Sequence, residues 1–254
     1  MVENSGARIG VLALQGSFRE HITSLKKAGA DAFEVRKKEQ LDCCDGLIIP
    51  GGESTTMALV AERWGLLEPL RAFAKSDRPI WGTCAGLIFL AEEAEGQKEG
   101  GQQLLGGLHC KVSRNFFGSQ VDSFECELPV DKCLGGIDSQ SGEAATTRAM
   151  FIRAPAILSA KDSVKVLAEY TTTDEQKAAT GRDKVIVAVR EGKLMATAFH
   201  PELTDDLRWH KYFADMCVEA SALRPNVEPA SSPCLSGLVV LPDIPVYAPN
   251  SDLR

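Results

Sequence analysis

The chain has 254 residues, of which 44% are hydrophobic and 25% are charged, values typical of a globular protein. With 28 Lys and Arg against 35 Asp and Glu, the net charge is −7, which disfavours nucleic acid or an anionic membrane as a partner because both require clustered cations. No apolar run approaches the roughly 20 residues that span a bilayer, and the first residues form no apolar signal segment, so we expect a cytoplasmic protein.

The first 90 residues alternate between short apolar segments and amphipathic segments. The apolar segments, at residues 9–14, 32–35, 46–49 and 79–82, predict strands that are buried on both faces. Ser17 and Glu20 form a capping-box pattern, which predicts that the Ser17 hydroxyl caps the first helix. Alternating strands and helices with short links indicate an α/β fold in which helices cover a parallel sheet.

Beyond about residue 100, turns rich in Gly, Ser and Thr replace the helices between strands. The strand-like segments cover residues 108–112, 120–127, 150–152, 164–169, 185–190 and 194–199. Thr204 is predicted to cap a last helix, and the polar stretch 171–183 is predicted to be a surface loop. We expect one globular domain over residues 1–222, followed by a disordered Pro- and Ser-rich tail over residues 223–254.

The eight cysteines show no metal-binding spacing, because no C-x-x-C pattern occurs. A chain of this length does not need a disulfide framework, so we expect free thiols in a reducing compartment and no bound metal. The question is then whether one of the eight thiols is chemically distinct.

Cys84 stands in a Gly-Thr-Cys-Ala-Gly stretch at residues 82–86, between a predicted strand and a predicted helix. This is the nucleophile-elbow pattern with sulfur in place of oxygen, in which the flanking glycines permit a very tight turn. The N-terminus of the following helix favours a thiolate, and the amide of Ala85 would face an oxyanion. The alternative is a buried cysteine between two turn glycines.

A thiolate nucleophile requires a base, and His200 is the best candidate among the four histidines. It follows a predicted strand in the stretch His-Pro-Glu, where Glu202 could orient the imidazole ring. The other three histidines, His21, His109 and His210, lie within predicted helices or a strand and are interpreted as structural.

The stretch at residues 50–56, Pro-Gly-Gly-Glu-Ser-Thr-Thr, closes the third predicted strand. Consecutive glycines let backbone amides approach a ligand closely, which fits a second oxyanion donor beside the elbow. The stretch matches no nucleotide-binding loop. A plain turn followed by a Ser or Thr cap is an equally good interpretation of this motif alone.

Together these motifs resemble the class I, triad-type glutamine amidotransferases, and further blocks resemble the glutaminase subunits of pyridoxal 5′-phosphate synthase. The more specific blocks lie at residues 11–16, 50–57, 114–115, 117–118, 120–125, 151–155 and 199–204. The resemblance covers roughly residues 8–220. It implies a three-layer, flavodoxin-like α/β sandwich with a mostly parallel central sheet.

The resemblance also implies that Cys84 attacks the side-chain amide of L-glutamine, while His200 moves the proton and Glu202 orients His200. The implied oxyanion donors are Gly51, Gly52 and Ala85. The implied glutamine-binding residues are Gly52, Glu53, Ser54, Arg114, Ile152 and Arg153. No cofactor is implied, and the ammonia would pass to a (β/α)-barrel synthase subunit in a hetero-oligomer.

Two segments depart from the compact bacterial pattern, at residues 171–183 and after Ala222, and both resemble plant-type additions. One alternative is a different amidotransferase or a cysteine hydrolase on the same fold, although a peptidase has no need for the blocks around Arg114 and 151–155. The other is a non-catalytic subunit, which would be expected to lack a member of the triad.

Overall fold

The computed structural model describes residues 6–96, 103–118, 123–135 and 145–224. Its strands are β1 (Arg8–Leu12), β2 (Asp31–Val35), β3 (Gly46–Ile49), β4 (Ile80–Thr83), β5 (Ala91–Glu95), β6 (Leu108–Ser113), β7 (Phe124–Pro129), β8 (Thr146–Phe151), β9 (Ala156–Ala160), β10 (Lys165–Thr171), β11 (Lys184–Glu191) and β12 (Leu194–Thr197). Its helices are α1 (Phe18–Lys27), α2 (Lys38–Asp42), α3 (Ser54–Arg63), α4 (Leu67–Lys75), α5 (Ala85–Leu90), α6 (Asp174–Thr180) and α7 (Arg208–Ala222). Short 3-10 turns cover Lys132–Leu134 and Pro201–Leu203.

Most of the described strands join one sheet in the order β2-β1-β3-β4-β12-β11-β9-β6-β5, with β10 paired to β11. The five strands from β2 to β12 along this order are parallel to one another. The strands β11, β9 and β10 join in antiparallel pairs, and β7 and β8 form a separate antiparallel pair. The prediction of an α/β fold with a mostly parallel central sheet is confirmed.

The parallel strands are buried on both faces, as their continuous apolar sequences require. Every residue of β3, β4 and β12 is buried. α7 covers β3 so closely that a Cβ at Gly46 would lie 2.2 Å from the Cys217 sulfur. α5 packs on β3 through Gly86, and it also contacts α3. Helices on the sheet therefore produce the layered arrangement that the sequence predicts.

Two local predictions in the second half are wrong. Part of the stretch 171–183, expected to be a loop, forms α6, which Thr173 and Gln176 begin with a capping box and Gly181 ends in a left-handed conformation. No residue of α6 is buried, so there is no apolar periodicity to reveal it. Thr204 does not cap α7, because its hydroxyl donates to the Pro201 carbonyl and accepts from the Asp206 amide. From residue 225 onward the expected tail lies outside the described residues.

The expectation that every cysteine is a free thiol is wrong at Cys43, which is disulfide-bonded. Cys234 lies outside the described residues. The free thiols are those of Cys44, Cys84, Cys110, Cys126, Cys133 and Cys217. Across the part of the chain that the structure describes, no helix combines the length and the apolar character needed to cross a membrane.

Gly86→Ala tests how closely α5 must approach β3. Alanine favours a helix, but a Cβ at residue 86 would lie 2.0 Å from the Ile49 carbonyl oxygen. We therefore expect the free energy of unfolding, measured by chemical denaturation, to fall by about 3 kcal/mol. Gly181→Ala is the control, because its Cβ meets no atom within 4 Å and only the left-handed backbone costs about 1 kcal/mol. Equal losses in the two variants would contradict the packing argument.

Candidate active site

Cys84 occupies a strained turn between β4 and α5. It is one of two described non-glycine residues with positive φ, at φ 47° and ψ −102°, which places its side chain above the end of the sheet. Glycines make this turn possible, since a Cβ at Gly82 would lie 2.4 Å from the Gly86 carbonyl oxygen. The Cys84 amide donates to the Thr197 carbonyl of β12 at 2.8 Å, which ties the turn to the neighbouring strand.

His200 and Glu202 reach the same point because β12 runs parallel to β4 and ends beside it. The His200 side chain is hydrogen-bonded to that of Cys84, and its Nδ1 lies 2.7 Å from Glu202 Oε1. A carboxylate can only accept, so His200 Nδ1 carries the proton and Nε2 is left to face the sulfur. The Cys84 sulfur also lies 3.9 Å from the Ile152 carbonyl oxygen. The structure thus brings the three predicted residues into one buried row.

The electrostatics of this row favour a charged imidazolium. Burial lowers the pKa of His200, but the hydrogen bonds and charges of Cys84 and Glu202 outweigh burial and raise this pKa to about 10. Burial raises the pKa of Glu202, yet His21 and the hydrogen bonds from His200 and Ser17 outweigh burial and lower it to about 2. A cysteine sulfur, an imidazole that can hold its proton as an imidazolium and a carboxylate in line are the chemistry of a nucleophile with its base.

The sequence analysis missed several polar residues behind Glu202. Ser17 was predicted to cap α1, but it makes no side-chain cap bond, and its hydroxyl donates to Glu202 Oε1 at 2.6 Å. Donating to a buried carboxylate is a charge-assisted hydrogen bond and is stronger than accepting from a backbone amide at the exposed start of a helix, which explains the correction. His21 Nε2 lies 3.3 Å from Glu202 Oε2 and 3.1 Å from Thr83 Oγ1. His21 Nδ1 lies 3.0 Å from His210 Nε2.

The glycine loop after β3 lies directly against the row. A Cβ at Gly51 would be 2.3 Å from His200 Cε1 and 3.3 Å from the Cys84 Cβ, so only glycine fits there. The Gly51 carbonyl accepts from the Ser17 amide at 3.1 Å, and the Gly52 N–H points the opposite way because the peptide between them is trans. The Ala85 amide lies in the first turn of α5, where amides have no intrahelical acceptor. The amides of Gly51, Gly52 and Ala85 are the predicted oxyanion donors.

A charged pair stands at the start of α3. Arg114 Nη2 donates to Ser54 Oγ at 3.0 Å and to Thr55 Oγ1 at 3.1 Å, and it lies 3.5 Å from Glu53 Oε1. Glu53 Oε2 accepts from the Thr56 amide at 2.6 Å. Burial raises the pKa of Glu53, but hydrogen bonds from Thr56 and Thr55 outweigh it and lower this pKa. A guanidinium beside a carboxylate matches the α-carboxylate and α-ammonium groups of an amino acid.

The remaining predicted binding residues, Ile152 and Arg153, follow β8. Arg153 has φ 46°, the second positive value outside glycine among the described residues, which marks this turn as strained. The Ile152 carbonyl faces the Cys84 sulfur. No group of three or more His, Cys, Asp or Glu residues placed to hold a metal ion occurs in the described ranges.

A thiol, an imidazole and a buried carboxylate in a row at the end of a parallel sheet are typical of α/β enzymes with a cysteine nucleophile. This is the class that the fold and the arrangement of side chains define.

Comparison with known proteins gives the family within this class. Residues 11–219 match the model of the SNO glutamine amidotransferase family, and the chain therefore belongs to that family. It is 53% identical over 223 residues to the probable pyridoxal 5′-phosphate synthase subunit PDX2 of Arabidopsis thaliana. This alignment covers 83% of this chain and 86% of the relative. It is 47% identical to pyridoxal 5′-phosphate synthase subunit PdxT of Parafrankia sp., over 84% of this chain and 94% of the relative.

A solved structure described as a glutamine amidotransferase aligns with 83% of this chain and 98% of its own, with a TM-score of 0.68 and 42% identity. The class I, flavodoxin-like fold expected from the sequence is confirmed by this similarity.

The buried His210 makes the free energy of unfolding depend on pH in the acid range. Burial, together with His21, lowers the pKa of His210 from 6.5 to about 3, so between these values the unfolded chain binds one more proton than the folded chain. The free energy of unfolding must then fall as pH falls, by up to about 1.4 kcal/mol per pH unit from this residue. We expect His210→Gln to reduce that slope, measured by urea denaturation between pH 4.5 and 6.5.

Tyr212→Phe on the same helix is the matched control, because burial raises the pKa of Tyr212 and removing it changes no titration in this range. An identical slope in His210→Gln and the wild type would show that His210 is not held neutral by burial.

Proposed function

We propose that this chain is the glutaminase subunit of a pyridoxal 5′-phosphate synthase, which hydrolyses L-glutamine to L-glutamate and ammonia. The observation that carries the proposal is the strained thiol of Cys84, hydrogen-bonded to a His200 ring that Glu202 holds by Nδ1. Relatives whose names describe subunits of pyridoxal 5′-phosphate synthase are 53% and 47% identical and match over most of their lengths.

The reaction follows from these side chains. The Cys84 thiolate attacks the side-chain amide carbon of glutamine, and the amides of Gly51, Gly52 and Ala85 hold the oxygen that becomes negative. His200 gives its Nε2 proton to the leaving nitrogen, so that ammonia departs and a γ-glutamyl thioester remains. His200 then takes a proton from water, which attacks the thioester carbon and releases glutamate and the thiolate.

Glutamine recognition rests on the charged pair at α3. Arg114 would take the α-carboxylate and Glu53 the α-ammonium group, while Ser54 keeps the guanidinium in place. The loop of Ile152 and Arg153 lies on the sulfur side and would hold the side chain of the substrate. The amide to be cleaved is thereby directed at Cys84, and the binding of the α-substituents is separate from the chemistry.

The ammonia would pass to a (β/α)-barrel synthase subunit that binds this chain in a hetero-oligomer. Free ammonia is protonated in water at neutral pH and loses its nucleophilic lone pair, so transfer within a closed complex preserves its reactivity. We place the reaction in the cytoplasm, because the thiol of Cys84 must stay reduced to act.

Cys84→Ala should abolish glutamine-dependent activity, because the thioester forms on the Cys84 sulfur. In a complex with the synthase subunit, the same variant should still support cofactor synthesis from added ammonium salt. The measurements are glutamate release and cofactor formation with each nitrogen source. Cys133→Ala, an exposed free thiol, is the control and should behave as wild type. Glutamate release by Cys84→Ala would contradict the mechanism, and cofactor synthesis that fails with ammonium would contradict the assigned partner.

Arg114→Lys should raise the KM for glutamine by roughly tenfold or more, because a lysine cannot make the paired hydrogen bonds of a guanidinium to a carboxylate. We expect kcat to change little, since Arg114 contacts neither Cys84 nor His200. Steady-state kinetics of glutamate release would show the split, with Arg71→Lys at the surface ion pair with Glu68 as the control. A fall in kcat at unchanged KM would rule out the binding role.

A further inference from the structure

Behind Glu202 lies a group of side chains that the proposed reaction does not use. His21 is the centre of this group, with Nε2 facing Thr83 Oγ1 and Glu202 Oε2, and with Nδ1 3.0 Å from His210 Nε2. Thr83 is the residue immediately before the nucleophile. The two histidines come from α1 and α7, so the group connects two helices to the reactive row.

The group is closed to solvent. His21 and His210 are both 0% exposed, and the side chain of Glu202 is equally inaccessible. The Trp81 ring packs against both imidazoles, with ring centroids 5.5 Å and 5.0 Å away. Trp81 is itself held by a hydrogen bond from Nε1 to Thr197 Oγ1. The polar atoms of this group therefore depend on partners inside the protein.

Both histidines are neutral near pH 7. Burial lowers the pKa of His21 despite the attraction of Glu202, and burial with His21 lowers the pKa of His210 to about 3. Each ring then carries one N–H and one lone pair, and the contact between His21 Nδ1 and His210 Nε2 needs one of each. Only two arrangements of the protons are possible.

In the first arrangement His210 Nε2–H donates to His21 Nδ1. His21 then carries its proton on Nε2, where it donates to Thr83 Oγ1 and presents a positive end to Glu202 Oε2. In the second arrangement the lone pair of His21 Nε2 would face the carboxylate at 3.3 Å, and His210 Nδ1 would be a buried N–H without an acceptor in the described structure. The first arrangement is favoured because it avoids both penalties.

Glu202 needs this N–H group. Its Oε1 accepts from His200 and from Ser17, but Oε2 has no hydrogen bond of standard geometry among the described residues. His21 Nε2 is the polar hydrogen donor that the structure places against Oε2. Without it, a buried carboxylate oxygen would face apolar surroundings, and the carboxylate would turn or take up a proton.

We propose that His21 is a positioning residue for the reaction, whose Nε2–H holds the Glu202 carboxylate in line with His200, and that His210 fixes the tautomer of His21. This inference rests on the proposed function of Cys84, His200 and Glu202. It adds a second layer in which two neutral histidines support the carboxylate.

The tautomer of His21 is tested first, because its measurement does not depend on enzymatic activity. A long-range 1H–15N correlation spectrum of the full chain at pH 7.5 should show His21 protonated on Nε2 and unprotonated on Nδ1, with the signals assigned by their loss in His21→Gln. In His210→Leu the donor to Nδ1 is gone, and we expect the fixed tautomer to be replaced by exchange between two forms. An Nδ1–H tautomer or an imidazolium at His21 in the wild type would overturn the inference.

Kinetics then test the role in positioning, with the chain in complex with the synthase subunit and glutamine as substrate. His21→Leu removes the donor, and we expect kcat to fall roughly tenfold at unchanged KM, as the loss of a polar N–H that faces a buried charge predicts. His21→Gln places an amide N–H where Nε2 stands, and it should restore most of kcat. His109→Gln, at the hydrogen bond with Glu191 away from the row, is the matched control and should keep the wild-type kcat.

The outcomes separate this inference from the proposed function. Wild-type kcat in a folded His21→Leu, or no recovery in His21→Gln, would overturn the positioning role while leaving the Cys84 reaction in place. If His21→Leu does not fold, the tautomer of His21 in the wild type and its loss in His210→Leu still decide. Activity that persists in Cys84→Ala would instead remove the reaction that His21 is meant to support.

Discussion

The carboxylate of Glu202 is buried, and the desolvation free energy of a buried charge without partners would be large compared with the free energy of unfolding of a domain. Its Oε1 accepts from His200 and from Ser17, and His21 lies against Oε2. These donors come from the loop after β12 and from the beginning of α1, which are far apart in the chain. Stabilising one charge therefore fixes how the first helix, the last strand of the parallel sheet and the reactive imidazole are placed.

The strained turn at Cys84 depends on the same arrangement. Its unfavourable φ is maintained by close contacts that only glycine allows at Gly82 and Gly86, and by the hydrogen bond of its amide to Thr197. Because β4 and β12 are neighbours in the sheet, the thiol and the imidazole of His200 meet across 116 positions of sequence (200 − 84). The strain is thus localised where the thiol has to be exposed to a substrate and held against its base.

Much of this could be predicted from the sequence. Continuous apolar runs predicted the buried parallel strands β3 and β4, and the glycines around Cys84 predicted a turn between strand and helix. These signals act between residues a few positions apart, so a single sequence contains them. α6 was missed because it gives no such signal: an exposed helix that begins with a capping box at Thr173 has no apolar periodicity.

The sequence by itself determined the parallel sheet, the glycine-flanked thiol and the candidate imidazole and carboxylate that follow the last parallel strand. Only the tertiary structure decided which polar groups support that carboxylate. Ser17 has the sequence pattern of a helix cap, yet its hydroxyl donates to Glu202, 185 positions away. His21 and His210 have the pattern of ordinary helix residues, yet they meet behind the same carboxylate. Local propensity acts over a few residues, whereas a buried charge takes its partners from whichever chain segments the fold brings within about 3 Å.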